Sequence, residues 1–183
     1  MTQNANLAES QELPTSPETL LARLKTLGVE FTLYNHVPVF TVAESEKIDA
    51  EIPGTHCRNL FLRDKKKSNF LVCLQNATDV DMKKLPGLIG SHQNLSFGSA
   101  ERLWELLGVR PGSVCPYSII NDTGHQVKIC LDKSMMETDI VNFHPLLNYM
   151  TIGVKPAGLI SFIESCGHVP HIVDFGAAAP QKE

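Results

Sequence analysis

Residues 57–74, CRNLFLRDKKKSNFLVCL, constrain the fold more than any other stretch of the chain. Two apolar runs, 59–62 and 70–74, flank the polar segment 64–69. Apolar runs joined by turn-forming polar residues predict a β-hairpin. Leu60, Leu62, Phe70 and Val72 then supply part of a core. Arg58, Arg63, Lys65, Lys66 and Lys67 put positive charge at the edges of the hairpin, although the whole chain carries a net −4. Such a local concentration can hold phosphates. Taken alone, the three lysines read equally as the solvated tip that blunts an edge strand.

A length of 183 residues fits one domain with a substantial core. Hydrophobic residues make up 43% and charged residues 20%, which indicates a soluble globular protein. No apolar run approaches the roughly 20 residues that span a membrane. The opening MTQNANLAESQELPTSP has neither a basic start nor an apolar centre, so it does not read as a signal peptide. The five cysteines (57, 73, 115, 130 and 166) are odd in number and several lie in apolar runs. They predict buried free thiols in a reducing, cytoplasmic compartment. CxxC, HExxH, HxH and clustered carboxylates are missing, as are Rossmann and P-loop glycine patterns. Neither a metal nor a cofactor is therefore expected. The acidic balance argues against broad nucleic-acid coating but leaves room for a small site at an RNA end.

Residues 1–15 read as a flexible tail. Ser16, Pro17 and Glu18 form a helix start, and Gly28 ends that helix. A strand is expected over 30–34. Thr41 to Glu44 has capping-box spacing for a short helix to Ile48. After the hairpin, a short helix starts at Asp81, a brief strand covers 95–97, and Ser99 and Gly108 bound a clearer helix. A second hairpin is expected from 118–120 and 126–131 around the Asn121-Asp-Thr-Gly124 turn. Strands follow at 140–143, 150–154 and 171–174, with a helix over 156–166. Residues 16–176 thus form a single mixed α/β domain, a central, largely antiparallel sheet surrounded by helices, and 177–183 a loose tail.

Four segments carry candidate chemistry. The first is His56-Cys57-Arg58-Asn59. The second is Gly112-Ser113-Val114-Cys115-Pro116, a turn whose backbone N–H groups can face a carbonyl or hydroxyl. The third is Asn142-Phe-His144-Pro145-Leu-Leu-Asn148-Tyr-Met-Thr151, where a histidine before proline sits in extended or turn backbone. A structural histidine bonded to backbone is the competing reading of His144. The fourth, His168-Val-Pro-His171, reads as a surface turn. Cys115 with His144 leaves a cysteine hydrolase open. Cys57 and His56 are adjacent in a strand and so point oppositely, which makes a poor dyad.

The stretches CRNLFLRDKKKSNFLVCL, GSVCPYSIIND and VNFHPLLNYMTIGV together resemble the family of YbaK and prolyl-tRNA synthetase-associated editing domains. The nearest resemblance is to its freestanding branch that deacylates mischarged Ala-tRNA(Pro). The likeness covers about residues 17–175. It implies a mixed α/β fold with a YbaK-like sheet and metal-free hydrolysis of the 3′-terminal aminoacyl ester. The family's substrate-contacting lysine falls on Arg58, which keeps the charge but cannot act as a base. The implied catalytic group is Arg58, Gly112 and His144. Asn59, Ser113, Val114, Cys115, Pro116, Pro145, Asn148 and Thr151 are the implied substrate contacts, and Lys65, Lys66 and Lys67 the implied contacts to the tRNA backbone. The implied partners are the acceptor end of mischarged tRNA(Pro) and, transiently, prolyl-tRNA synthetase, with a monomeric chain and no membrane. Editing of a seryl or cysteinyl ester, or a non-catalytic module that binds a tRNA end or a synthetase, remain the alternatives.

Overall fold

A computed structural model describes residues 12–38, 42–91 and 94–176. In chain order its elements are α1 (Pro17–Thr26), β1 (Phe31–Asn35), α2 (Val42–Glu51), β2 (Thr55–Asp64), β3 (Asn69–Gln75), α3 (Leu85–Leu88), β4 (Leu95–Phe97) and α4 (Ala100–Leu107). A 3-10 helix (Pro116–Asn121) follows, then β5 (Val127–Asp132), α5 (Lys133–Met136), β6 (Val141–Phe143), β7 (Met150–Val154), α6 (Pro156–Ser165) and β8 (His171–Val173).

The expected hairpin is the middle of the sheet. β2 and β3 pair antiparallel, with Cys57 opposite Gln75 and Arg63 opposite Asn69. The strand order is β1-β7-β6-β2-β3-β5-β8, and β4 also pairs with β2. Because β3 holds one edge of β2, β6 and β4 share the other. β6 pairs at Thr55 and His56, and β4 at Leu62, Arg63 and Asp64. The part of that edge around Asn59 therefore has neither strand beside it. The β1–β7, β7–β6, β2–β3 and β2–β4 pairs are antiparallel, while β2–β6, β3–β5 and β5–β8 are parallel.

β3 has apolar neighbours on both faces, which explains its unbroken apolar run. Leu71 and Cys73 join the larger core with Leu20, Leu24, Leu107, Ile129 and Phe162. Phe70, Val72 and Leu74 join a smaller one with Leu62, Leu85 and Phe175. The helix signals act as read. Ser16 Oγ accepts from Thr19 N at 3.2 Å, Ser99 Oγ accepts from Arg102 N, and Gly108 takes the left-handed cap conformation at φ 61°.

The second hairpin does not form. Residues 116–121 make a 3-10 helix, and β5 runs parallel to β3, with Ile129 opposite Leu71. Pro116 at the first helical position fixes a helix-compatible φ. Tyr117 then reaches the core edge-on to Phe162, ring centroids 5.2 Å apart. A short apolar run reads alike in either state, and packing decides it. Other departures are small: α2 continues to Glu51, and α3 covers 85–88 only. The capping position Thr41 lies outside the described residues. Within the expected tail, Leu13 packs on the core and Thr15 Oγ1 donates to Asn121 Oδ1 at 2.7 Å.

Strand alternation prepares one surface for chemistry. Val141, Phe143, Ile152 and Val154 enter the core. The register sets Asn142 beside Gly153 and Tyr34 beside Thr151. Asn142, His144, Thr151 and Gly153 therefore share the opposite face.

Candidate active site

Two cavities meet where α2 crosses the start of β2. The larger, of about 850 Å³, is bounded by Asp49, His56, Cys57, Arg58, Gln75 and Asn76 among others. The smaller, of about 40 Å³, is bounded by Asn59, Asn142, Phe143, His144 and Thr151. Ser45, Asp49, His56 and Cys57 border both, so the two cavities are adjacent.

His144 reaches this site with a fixed tautomer. Its Nδ1 lies 3.0 Å from the Met150 carbonyl oxygen. That oxygen can only accept, so Nδ1 carries the proton, and in the neutral ring Nε2 is left as an acceptor. Burial, first of all, and the neighbouring His36 hold the pKa of His144 below the ordinary 6.5. The backbone after it is strained: Leu146, buried and not glycine, has φ 72°. Such conformations persist only where the surroundings enforce them.

His36 was not singled out from sequence. Its Nδ1 donates to the Val37 carbonyl oxygen at 2.8 Å, and its Nε2 lies 3.0 Å from Thr151 Oγ1. With Nδ1 protonated, Nε2 accepts from the Thr151 hydroxyl. The ring centroids of His36 and His144 are 6.3 Å apart. A signal was present, since Thr32, Tyr34 and His36 continue the polar alternation of β1 past its end.

The start of β2 is tied to α2 and to the turn after β3. His56 Nδ1 sits 2.9 Å from Asp49 Oδ1, and its Nε2 sits 2.8 Å from the Ile52 carbonyl oxygen. Asn76 Nδ2 donates to the other Asp49 oxygen at 3.3 Å. Arg58 Nη1 donates to the Gln75 and Asn76 carbonyls at 3.2 and 2.6 Å, and Nη2 donates to the Thr78 carbonyl at 2.5 Å. Of the five guanidinium N–H groups, these bonds use three. The charged head of Arg58 thus fastens a turn while it borders the large cavity. Asp132, buried, braces the same turn by accepting from Gln75 N and the Thr78 hydroxyl.

The implied residues fall into three groups. Asn59, His144 and Thr151 meet in the small cavity, and Arg58 borders the large one. Residues 112–116 border neither. Gly112 is exposed at φ 87°, whereas Ser113, Cys115 and Pro116 are buried. This loop still touches the His144 segment, because the Leu146 N–H faces the Cys115 sulfur. Lys65, Lys66 and Lys67 are exposed at the far end of β2. The cysteine-hydrolase reading is overturned. Cys115 is fully buried and its thiol is pushed up to about 11, and burial raises the Cys57 thiol further still. Neither offers a thiolate nucleophile near neutral pH. Among the described residues no group of three or more His, Cys, Asp or Glu side chains is arranged to hold a metal ion, and no helix is long and apolar enough to cross a membrane.

The family model for the aminoacyl-tRNA editing domain matches residues 36–162. That span opens on His36 and includes the whole site. The prolyl-tRNA editing protein ProX of Acetoanaerobium sticklandii is 34% identical over 152 residues, covering 82% of this chain and 92% of the relative. The prolyl-tRNA synthetase associated domain-containing protein 1 of Danio rerio is 35% identical over 154 residues, covering 83% of each. In structure the chain is similar to the crystal structure of hypothetical protein APE2540, with a TM-score of 0.64 at 18% identity over 84% of this chain and 97% of that one. That last likeness shows the mixed α/β fold.

Proposed function

The chain belongs to the aminoacyl-tRNA editing domain family, and on that premise we propose that it hydrolyses the 3′-terminal ester of mischarged Ala-tRNA(Pro), releasing alanine and free tRNA. The observation that carries the reading is the adjacent pair of cavities, about 850 and 40 Å³, with neutral His144 in the smaller. The larger volume takes a terminal nucleoside. The smaller is the tighter recess, and on this reading it takes the small acyl group. A pocket of that size excludes a prolyl ring on steric grounds.

In the reaction, water adds to the ester carbonyl, the acyl C–O bond breaks, and the proton of the water passes to the leaving ribose oxygen. His144 Nε2 accepts a hydrogen bond from the water or a ribose hydroxyl and orients it. By family resemblance the substrate's own ribose hydroxyl helps activate the water, which removes the need for a protein triad. The resemblance assigns the oxyanion to backbone N–H groups of the 112–116 loop, and for that role the loop, which borders neither cavity here, must move toward the His144 segment that it touches. Arg58 and Asn59 face the ribose and terminal phosphate. Pro145 and Asn148, implied substrate contacts, border neither cavity and would reach the acyl group only from the turn that carries His144. Lys65, Lys66 and Lys67 lie seven to nine residues along β2 and its turn from Arg58. At about 3.3 Å per residue this is on the order of 25 Å, a reach suited to the acceptor-stem backbone. Transient contact with prolyl-tRNA synthetase, a monomeric state and a cytoplasmic location complete the proposal.

The commitment of Arg58 to three backbone carbonyls favours one rival, a tRNA-end or synthetase-binding module without turnover. A panel of Ala-, Ser-, Cys- and Pro-tRNA(Pro) decides between them. Release of alanine well above the spontaneous rate, with Pro-tRNA(Pro) spared, is expected. Faster release of serine or cysteine would reassign the acyl group. Tight binding without release from any ester would establish the module.

A further inference from the structure

Beside β2, the short strand β4 presents an aromatic side chain to solvent. Phe97, its last residue, is 69% exposed, more than any other described Phe, Tyr or Trp. Its register partner on β2, Leu62, is buried. The strand that carries Phe97 is firmly held. Gly98 N donates to the Phe61 carbonyl oxygen at 2.9 Å, and Ser96 Oγ donates to the Arg63 carbonyl oxygen at 3.3 Å. A Cβ on Gly98 would run into the Phe61 ring, so the glycine lets the chain lie this close to β2. Phe97 therefore has a fixed backbone and a side chain that neither core cluster uses. Toward the start of β2, Arg58 and Asn59 border the two cavities, and they lie four and three residues from Leu62. Toward the tip, Lys65 is exposed three residues from Leu62, with Lys66 and Lys67 after it. At about 3.3 Å per residue, the aromatic stands on the order of 10 Å from each end. An isolated exposed apolar side chain needs no explanation by itself. This one is set on a rigid strand between a nucleoside-sized cavity and a group of cations. Aromatic side chains beside positive charge are how proteins hold unpaired nucleotides.

We propose that Phe97 is a stacking platform for one unpaired nucleotide of the tRNA 3′ end, in the stretch between the terminal nucleoside at the large cavity and the paired stem at the lysines. The assignment rests on the reading above for the tRNA end as ligand, and it adds a contact outside both cavities. Every base has an aromatic face, so a stack supplies affinity without reading base identity. The ring is uncharged and releases no counterions, so its contribution differs from that of the lysines in leaving the salt dependence alone. A protein surface could also cover an exposed aromatic. The charge beside it favours a polyanion: Arg63 follows Leu62 directly, and Lys65, Lys66 and Lys67 come next, in a chain of net −4.

The test measures dissociation constants for uncharged tRNA(Pro), so it does not depend on turnover. Folded Phe97→Ala is expected to bind roughly five- to hundred-fold more weakly, the range for loss of one base–aromatic stack, while Phe97→Trp keeps the wild-type affinity. The salt slope of Phe97→Ala should match that of the wild type. tRNAs carrying a single abasic nucleotide in the unpaired 3′ end locate the stacked base. At one position the abasic change is expected to weaken the wild type by a similar factor and to add little to Phe97→Ala. Unchanged affinity in Phe97→Ala, or additive losses at every abasic position, would overturn the stack. Weaker binding of purified prolyl-tRNA synthetase by Phe97→Ala, with tRNA affinity unchanged, would make Phe97 a protein contact and overturn it likewise. Alanine release from Ala-tRNA(Pro) is followed alongside. A wild-type protein that shows the stacking pattern but releases no alanine would sink the deacylase reading alone.

Discussion

The Arg58 guanidinium donates to the Asn76 carbonyl at 2.6 Å, so the residue in the family's lysine position fastens the turn that bounds the large cavity. The same head reaches the carbonyls of Gln75 and Thr78. A lysine ammonium is a point donor and cannot span three carbonyls as a planar fork does. Arg58→Ala and Arg58→Lys are both expected to lower thermal stability, by about 1–3 kcal/mol for Ala and less for Lys. Their activities are expected to separate. Ala loses most single-turnover deacylation, while Lys keeps much of it because the positive charge remains. Thermal unfolding run beside the rate assay checks both. Unchanged stability in both variants would show that the clamp contributes nothing, and equal activity in all three proteins would remove Arg58 from catalysis.

His144 is expected to set the pH dependence of the proposed hydrolysis. Burial, then the presence of His36, keeps its pKa below 6.5, while Asp49 and the bond to the Met150 carbonyl oppose the shift in part. The acceptor role of Nε2 requires the neutral ring. The rate, corrected for spontaneous hydrolysis, is therefore expected to be insensitive to His144 protonation from pH 8 to 6.5 and to fall only at lower pH. Stability follows the same sign. As pH falls below 6.5 the unfolded chain takes up this proton first, so the folded state is progressively weakened until the folded pKa is passed. A pH–rate profile whose acid limb lies above 6.5, or persists in His144→Asn, would contradict the assignment.

His36 is expected to act through Thr151. Losing a neutral hydrogen bond costs about 0.5–1.5 kcal/mol, so His36→Ala should slow deacylation by roughly two- to ten-fold. Because Thr151 lines the small cavity and is itself an implied substrate contact, the loss should appear in KM as well as in kcat. His36→Gln, which retains an acceptor for the threonine hydroxyl, should restore part of the rate. Equal loss in His36→Ala and His36→Gln would indicate a general packing defect instead.

Replacing Lys65, Lys66 and Lys67 by Ala together is expected to weaken tRNA binding and flatten its dependence on salt, because phosphate contacts release counterions. These side chains are exposed at the hairpin tip, away from His144. Turnover at saturating tRNA should fall little. An unchanged salt slope would assign the three lysines to solubility.

The central hairpin was readable because two apolar runs around a polar turn admit few alternatives, and the capped helices because Ser16, Ser99 and Gly108 act locally. The expected second hairpin fails at residues 118–120, because Tyr117 just before them packs edge-on to Phe162 from a helical turn. No local pattern carries that information. The motif that carries His144 and Thr151 is legible in sequence and the structure brings both to one cavity, whereas no local pattern marks His36 or Asp49. Asn142 lies within the motif that names His144, but its placement depends on Pro53, Gly54 and Gly153 in other segments. The clamp on Arg58 is not legible in sequence, because its three acceptors are carbonyls at and just beyond the end of β3.

The most direct test is alanine release from Ala-tRNA(Pro) under single-turnover conditions, with enzyme in excess and Pro-tRNA(Pro) measured in parallel. Rapid loss of the alanyl ester, a prolyl ester that decays at its spontaneous rate, and a large decrease of the alanyl rate in folded His144→Ala are the predicted results. A well-folded wild-type protein that releases alanine no faster than buffer would contradict the account.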